Sequence, residues 1–144
     1  MKANLRILTV AVALCVGLFT AAAAEKKIEA GPKGGRILDK TSPKAEFVVE
    51  KDHSVTIAFY DADLKPVAVA DQNVTVVAGK SKLEFEKKGD VLVSKTKLPE
   101  GDGYNLVVQF KQTADAKPTN LRFKLDMHTC GECKRAEYAC TCEH

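Results

Sequence analysis

Cysteine is missing from most of this sequence. Of the five cysteines in the 144 residues, Cys15 lies near the N-terminus and the other four lie within the last 15 residues. Disulfides therefore cannot hold the central part of the chain, residues 25–127, together. That part is long enough to fold around a hydrophobic core without such bonds.

Neither sign of charge is in large excess. The chain has 22 Lys and Arg residues against 19 Asp and Glu residues, and the two signs are interspersed along the sequence. Proteins that bind nucleic acids or anionic membranes usually present a basic stripe or patch. We therefore expect no nucleic-acid partner and no binding to an anionic membrane surface.

No apolar run is long enough for a membrane-spanning helix, which needs about 20 residues. The longest, Ile7–Phe19, has 13 residues; Lys2 and Arg6 precede it, and small residues follow it up to Ala24. This pattern is typical of a cleaved secretory signal peptide. We predict a signal peptide at residues 1–24 and a periplasmic or secreted protein with no stable membrane anchor. A lipoprotein acylated at Cys15 is the alternative.

Sequence motifs of common enzymes are also missing. The chain has no Gly-x-Ser-x-Gly motif, and none of its three histidines are four residues apart. The glycine-rich stretch at residues 31–36, "GPKGGR", lacks the Lys-Ser/Thr of a phosphate-binding loop. We therefore expect a binding protein and not an enzyme.

Alternation of apolar and polar residues dominates the middle of the chain. In "SVTIAFYD", for example, Val55, Ile57 and Phe59 fall on one face, as expected for half-buried strands. Seven segments are predicted as strands, namely residues 46–49, 54–61, 73–77, 82–89, 90–96, 104–111 and 120–127. Turn residues separate them, and no segment has a helical pattern. We predict an all-β, immunoglobulin-like β-sandwich of about seven strands at residues 25–127.

Residues 31–77 carry a family resemblance. The stretch "GPKGGRILDKTSPKAEFVVEKDHSVTIAFYDADLKPVAVADQNVTVV" resembles small β-sandwich modules associated with periplasmic adaptor proteins of heavy-metal efflux systems. Those modules often open with Gly-Pro-His-Gly-Gly, and Lys33 stands here in place of the histidine. The resemblance implies a free-standing sandwich in the cell envelope, with a metal-transport or other envelope protein as a possible partner.

The C-terminal segment, residues 128–144, concentrates sulfur and imidazole. Its pattern is Cys-x2-Cys-x6-Cys-x-Cys-x-His, and a second histidine lies just before it. A Cys-x-x-Cys turn brings two thiolates to one side, where both can bind the same ion. The predicted metal ligands are Cys130, Cys133, Cys140 and Cys142, with His144 or His128 as alternates.

Zinc and copper(I) both suit this set of ligands. Zinc binds four thiolates in a tetrahedron, whereas copper(I) also accepts a thioether such as that of Met127. Met127 also continues the apolar face of the last predicted strand, which favours a place in the core. Lys134 and Arg135 would offset part of the negative charge of a thiolate cluster. We predict a protein that sequesters or delivers zinc or copper(I).

Two other interpretations of the four cysteines stay open at this point. In an oxidising compartment they can form two disulfides, in any of three pairings, and staple a structural or protein-interaction module. The "CGEC" sequence also has the spacing of a dithiol oxidoreductase, although no βαβ pattern surrounds it.

Overall fold

The computed structural model describes residues 27–101 and 103–142. The predicted signal peptide and His144 lie outside these residues. The described chain contains nine β-strands and one short 3-10 helix. The strands are β1 (Arg36–Leu38), β2 (Lys44–Val49), β3 (Val55–Tyr60), β4 (Pro66–Val67), β5 (Asn73–Ala78), β6 (Ser81–Lys88), β7 (Val91–Ser94), β8 (Tyr104–Lys111) and β9 (Thr119–Leu125); the 3-10 helix is Glu137–Ala139.

The all-β prediction is confirmed, and each of the seven predicted segments forms a strand. Strands β1 and β4 account for the higher strand number. They have only three and two residues, too few to show a clear alternation. Within the described ranges, no helix is long and apolar enough to cross a membrane.

The strands form one antiparallel sheet that is nearly closed into a barrel. Its order is β1-β2-β3-β7-β6-β5-β8-β9, with β4 paired to β3. Strand β6 joins the two halves of the sheet, because residues 81–84 pair with β5 and residues 85–88 pair with β7. Strands β1 and β9 are the two ends of this order, and the gap between them is called the seam below.

The core is built from the apolar faces that the alternation predicted. In β8, for example, Leu106, Val108 and Phe110 are buried, while Asn105 and Gln109 are exposed. Side chains from both halves of the sheet share one cluster, in which the rings of Phe59 and Phe110 lie 6.3 Å apart. Burial of this apolar surface is the main force that holds the two halves together.

A buried carboxylate organises the glycine-rich segment before β1. The side chain of Glu46 is fully buried, and it accepts hydrogen bonds from the backbone N–H groups of Lys33 (2.9 Å) and Gly35 (2.8 Å). The hydroxyl of Tyr60 donates a third, at 2.7 Å. Burial and this bond raise the pKa of Tyr60, so the phenol stays protonated and remains a donor.

Two glycines let the backbone approach this carboxylate. A Cβ on Gly31 would lie 2.1 Å from Cδ of Glu46, and one on Gly35 would lie 2.2 Å from the carbonyl oxygen of Phe47. Both distances are far below van der Waals contact, so any side chain there would displace the segment. Gly31 and Gly35 therefore serve a close packing contact inside the protein.

The C-terminal segment packs across the seam. Its 3-10 helix contacts both β1 and β9. The ring of Tyr138 is buried and meets the ring of Phe47 edge-on at 6.0 Å; Phe47 in turn meets Phe123 of β9 at 5.4 Å. The Tyr138 hydroxyl accepts a hydrogen bond of 3.0 Å from the N–H of Val49. This segment is therefore part of the folded body.

We predict that Glu46→Gln destabilises the protein by about 1–3 kcal/mol. The carboxylate meets three donors, whereas a glutamine offers one acceptor oxygen and brings an N–H2 group against a donor. Urea unfolding of both proteins measures the difference. Glu84→Gln, at an exposed position of β6, is the control and should change stability by less than about 0.5 kcal/mol. Equal effects of the two substitutions would contradict the assigned role of Glu46.

We predict that Tyr138→Phe costs about 1 kcal/mol and Tyr138→Ala about 3–5 kcal/mol of stability. The first removes only the acceptor of the Val49 N–H, whereas the second also empties a buried site against Phe47. Denaturant unfolding of the reduced, metal-free proteins gives both values. An alanine variant as stable as the parent would mean that the segment does not contribute to the core.

Candidate metal centre

The first two cysteines lie in a tight turn that follows β9. An isolated β-bridge pairs Thr129 with Ala136. Inside it, the N–H of Cys130 donates to the carbonyl of Arg135 at 2.7 Å, and the N–H of Lys134 donates to the carbonyl of Cys130 at 3.2 Å. These bonds fold residues 129–136 back on themselves, so Cys130 and Cys133 point to one side.

Backbone amides in this turn are directed at the sulfurs. The N–H groups of Cys133 and Glu132 hydrogen-bond to the Cys130 sulfur and lower its pKa. The N–H of Arg135 does the same for Cys133, whose pKa falls to about 7. Lys134 has φ 60°, which turns the chain so that the amide after it reaches the sulfur. The turn thus favours thiolates, the form that binds metals.

The buried ring of Tyr138 positions the other two cysteines. The N–H of Tyr138 donates to the carbonyl of Asp126 at 3.0 Å, and the N–H of Glu137 donates to the carbonyl of His128 at 2.9 Å. The returning chain is thereby paired with the residues that follow β9. Cys140 comes two residues after Tyr138 and faces the Cys130–Cys133 turn.

The four sulfurs form one compact group. All four lie within 4.8 Å of one another. Two of the distances are 3.6 Å, between Cys133 and Cys140, and 3.9 Å, between Cys130 and Cys142. A tetrahedral zinc site with Zn–S bonds of about 2.3 Å requires sulfurs about 3.8 Å apart. The arrangement therefore fits a tetrahedral ion at its centre.

No disulfide joins any two of these four cysteines. The distances above exceed by far the S–S bond length of about 2.05 Å in a disulfide. Cys130 and Cys140 are buried, whereas Cys133 and Cys142 are partly exposed. The group therefore has a closed inner side and a side that solvent can reach.

The second pair of thiols differs electrostatically from the first. Burial, followed by the neighbouring thiol of Cys140, raises the pKa of Cys142. The amide of Cys142 favours a thiolate at Cys140, but burial and the thiols of Cys130 and Cys133 outweigh it and raise the pKa of Cys140. Four thiolates so close together repel one another, and a divalent cation between them offsets half of their charge.

The structure brings the four predicted cysteines together but places the other predicted ligands differently. Among the described His, Cys, Asp and Glu side chains, the group that converges consists of these four cysteines. The ring of His128 is 72% exposed, and its Nδ1 lies 2.8 Å from the Asp126 carboxylate. Met127 packs against the hydrophobic core. His144 lies outside the described residues, so its role as an alternate ligand stays a prediction.

Lys134 was expected to offset the charge of the cluster. Its ammonium group hydrogen-bonds to the carbonyl of Gly131 within the same turn.

Sequence reasoning missed Tyr138, which anchors this segment. The available signal was that it is the only aromatic residue between Met127 and His144. The partners of that ring, Phe47 and Val49, are about 90 residues away along the chain, and the sequence does not reveal them.

Comparison with known protein families, with curated proteins and with solved structures finds no match to this chain.

Proposed function

We propose that this protein binds one zinc ion through Cys130, Cys133, Cys140 and Cys142. The observation that carries the proposal is the convergence of four thiols within 4.8 Å at spacings that suit a tetrahedral ion. The amides directed at Cys130 and Cys133 support it, because they stabilise thiolates before any ion arrives. Copper(I) is the competing ion, but Met127, the thioether that would favour it, packs against the core.

The proposed role is to sequester or deliver the ion. Four protein ligands complete a tetrahedron and leave no position for water or substrate, so the site suits binding and not metal catalysis. Cys133 and Cys142 are partly exposed, and this side of the group is where an incoming or competing ligand would approach. The signal-peptide pattern of residues 1–24 and the resemblance of residues 31–77 to envelope modules support action outside the cytoplasm.

We predict that the reduced protein binds one zinc with a Kd of about nanomolar or tighter. Replacing Cys130 and Cys133 together with serine should weaken binding at least about 1,000-fold, because it removes two of the four ligands. Competition with a chromogenic chelator measures the affinity, and elemental analysis gives the ion and its stoichiometry. Titration with copper(I) under anaerobic conditions compares the two ions directly.

The matched control is His53→Ala, at an exposed turn far from the cysteines along the chain, which should leave the affinity unchanged. His128→Ala tests one of the two alternate ligands, His128 and His144, because an unchanged affinity excludes His128 from ligation. The proposal fails if residues 25–144, with all four thiols shown to be reduced, bind zinc no tighter than about micromolar.

We predict that zinc binding releases protons and weakens as the pH falls. The pKa values of Cys140 and Cys142 are raised, so both carry protons near neutral pH and must lose them to bind. Cys133, with a pKa of about 7, adds a further proton below that pH, so affinity should fall more steeply there. Calorimetry in two buffers of different ionisation enthalpy counts the protons. Affinity that is constant between pH 8 and pH 6 would rule out thiolate ligation.

A further inference from the structure

We propose that the four cysteines form a thiol–disulfide switch, in which oxidation by a small organic disulfide expels the zinc and leaves the bonds Cys133–Cys140 and Cys130–Cys142. This inference rests on the proposed function, since it concerns what removes the ion from the same site. The observation behind it is that these two sulfur pairs, at 3.6 and 3.9 Å, together include all four thiols.

Both bonds can form with small movements. A disulfide requires sulfurs about 2.05 Å apart, so each pair must close by about 1.5–1.9 Å, which side-chain rotation can supply. The hydrogen bonds that hold the segment on the barrel, from Tyr138 to Asp126 and from Cys130 to Arg135, run between backbone atoms and involve no sulfur. Oxidation therefore does not require the barrel to open.

Pairing within each motif is unfavourable. If Cys130 joined Cys133, complete oxidation would leave only Cys140 and Cys142 for the second bond. Those two residues are separated by a single residue, and the small ring they would close is strained. Bonds between the turn and the returning segment avoid this ring.

Exposure to solvent determines which cysteine of each pair reacts first with the small disulfide. Each proposed bond joins a partly exposed cysteine, Cys133 or Cys142, to a buried one, Cys140 or Cys130. The thiolate of the partly exposed cysteine attacks the small disulfide, forms a mixed disulfide and releases one small thiolate. The buried thiolate then attacks the cysteine sulfur of that mixed disulfide and expels the second small thiolate.

The exchange balances in electrons and charge. Two small disulfides take up four electrons and become four small thiolates. The four cysteine thiolates lose those four electrons and become two disulfides, which are neutral and are poor zinc ligands. The ion leaves as Zn2+. An excess of small thiol reverses both bonds and restores the site.

The experiment uses the full folded chain loaded with zinc. Zinc content is first measured, and the protein is then incubated with oxidised glutathione while a chelator dye reports released zinc. Counting of free thiols and intact mass follow the disulfides. We expect one zinc released and four thiols lost per chain, with no glutathione retained. The same concentration of reduced glutathione is the control and should release at least about tenfold less zinc.

Pairing is read from peptides of the oxidised protein. Cleavage after Glu132, Lys134 and Arg135 separates Cys130, Cys133 and the Cys140–Cys142 segment, and fragmentation between Cys140 and Cys142 assigns each partner. Two double variants test, without mapping, whether pairing of Cys140 with Cys142 is unfavourable. Cys130→Ser with Cys142→Ser keeps the Cys133–Cys140 pair, whereas Cys130→Ser with Cys133→Ser keeps Cys140 and Cys142. The first variant should form its disulfide at a ratio of oxidised to reduced glutathione at least about tenfold lower than the second variant requires.

The results separate this inference from the proposed function. A chain that takes up no zinc before oxidation defeats the proposed function, and the pairing is then still tested on the metal-free protein. Zinc that stays bound with four intact thiols overturns the switch and leaves zinc binding in place. Stable mixed disulfides with glutathione, or pairings other than Cys133–Cys140 and Cys130–Cys142, also overturn it.

Discussion

Strand β2 is the element to which both ends of the described chain are attached. On its outer face, the buried carboxylate of Glu46 binds the glycine-rich segment that precedes β1. On its inner face, the ring of Phe47 receives Tyr138, and the N–H of Val49 bonds to the hydroxyl of that tyrosine. Successive residues of a strand point to opposite faces, so one short strand can hold two segments at once. The position of the cysteines depends on this attachment.

The seam of the barrel and the candidate metal centre are physically connected. Strands β1 and β9 end the order of the sheet, and the C-terminal segment that carries Cys140 and Cys142 lies across them. The guanidinium of Arg36 in β1 also lies 4.7 Å from the ring centre of Phe123 in β9. Ligands held in this way lose little conformational freedom when they bind an ion. A covalent or metal cross-link in the segment, in turn, favours the closed barrel.

Opposing electrostatic effects give the four cysteines different tendencies to ionise. Backbone amides lower the pKa values of Cys130 and Cys133, whereas burial and neighbouring thiols raise those of Cys140 and Cys142. The site therefore contains thiols that ionise readily and thiols that ionise only when a cation or a further reaction stabilises the thiolate. A bound divalent cation would offset part of the thiolate charge, whereas oxidation to disulfides would remove it, and the same sulfurs would take part in both.

The sequence by itself determined the longer strands and the candidate ligands. Alternation of apolar and polar residues located the seven longer strands, because a strand buried on one face needs that period. Local spacing identified Cys130, Cys133, Cys140 and Cys142, because Cys-x-x-Cys turns converge without help from the rest of the chain. Strands of two or three residues have too few positions to show an alternation, so neither β1 nor β4 was among the seven predicted strands.

Only the tertiary structure decided how the two halves of the cysteine motif meet. Cys140 reaches Cys133 because Tyr138 is held by Phe47 and Val49, contacts that span about 90 residues and depend on strand order. The tertiary structure likewise decided the place of Glu46, which is an ordinary polar position in the strand pattern. Its carboxylate is buried, and Gly31 and Gly35 are required beside it. Local patterns record periodicity and spacing, whereas these contacts arise from the packing of segments that are distant in sequence.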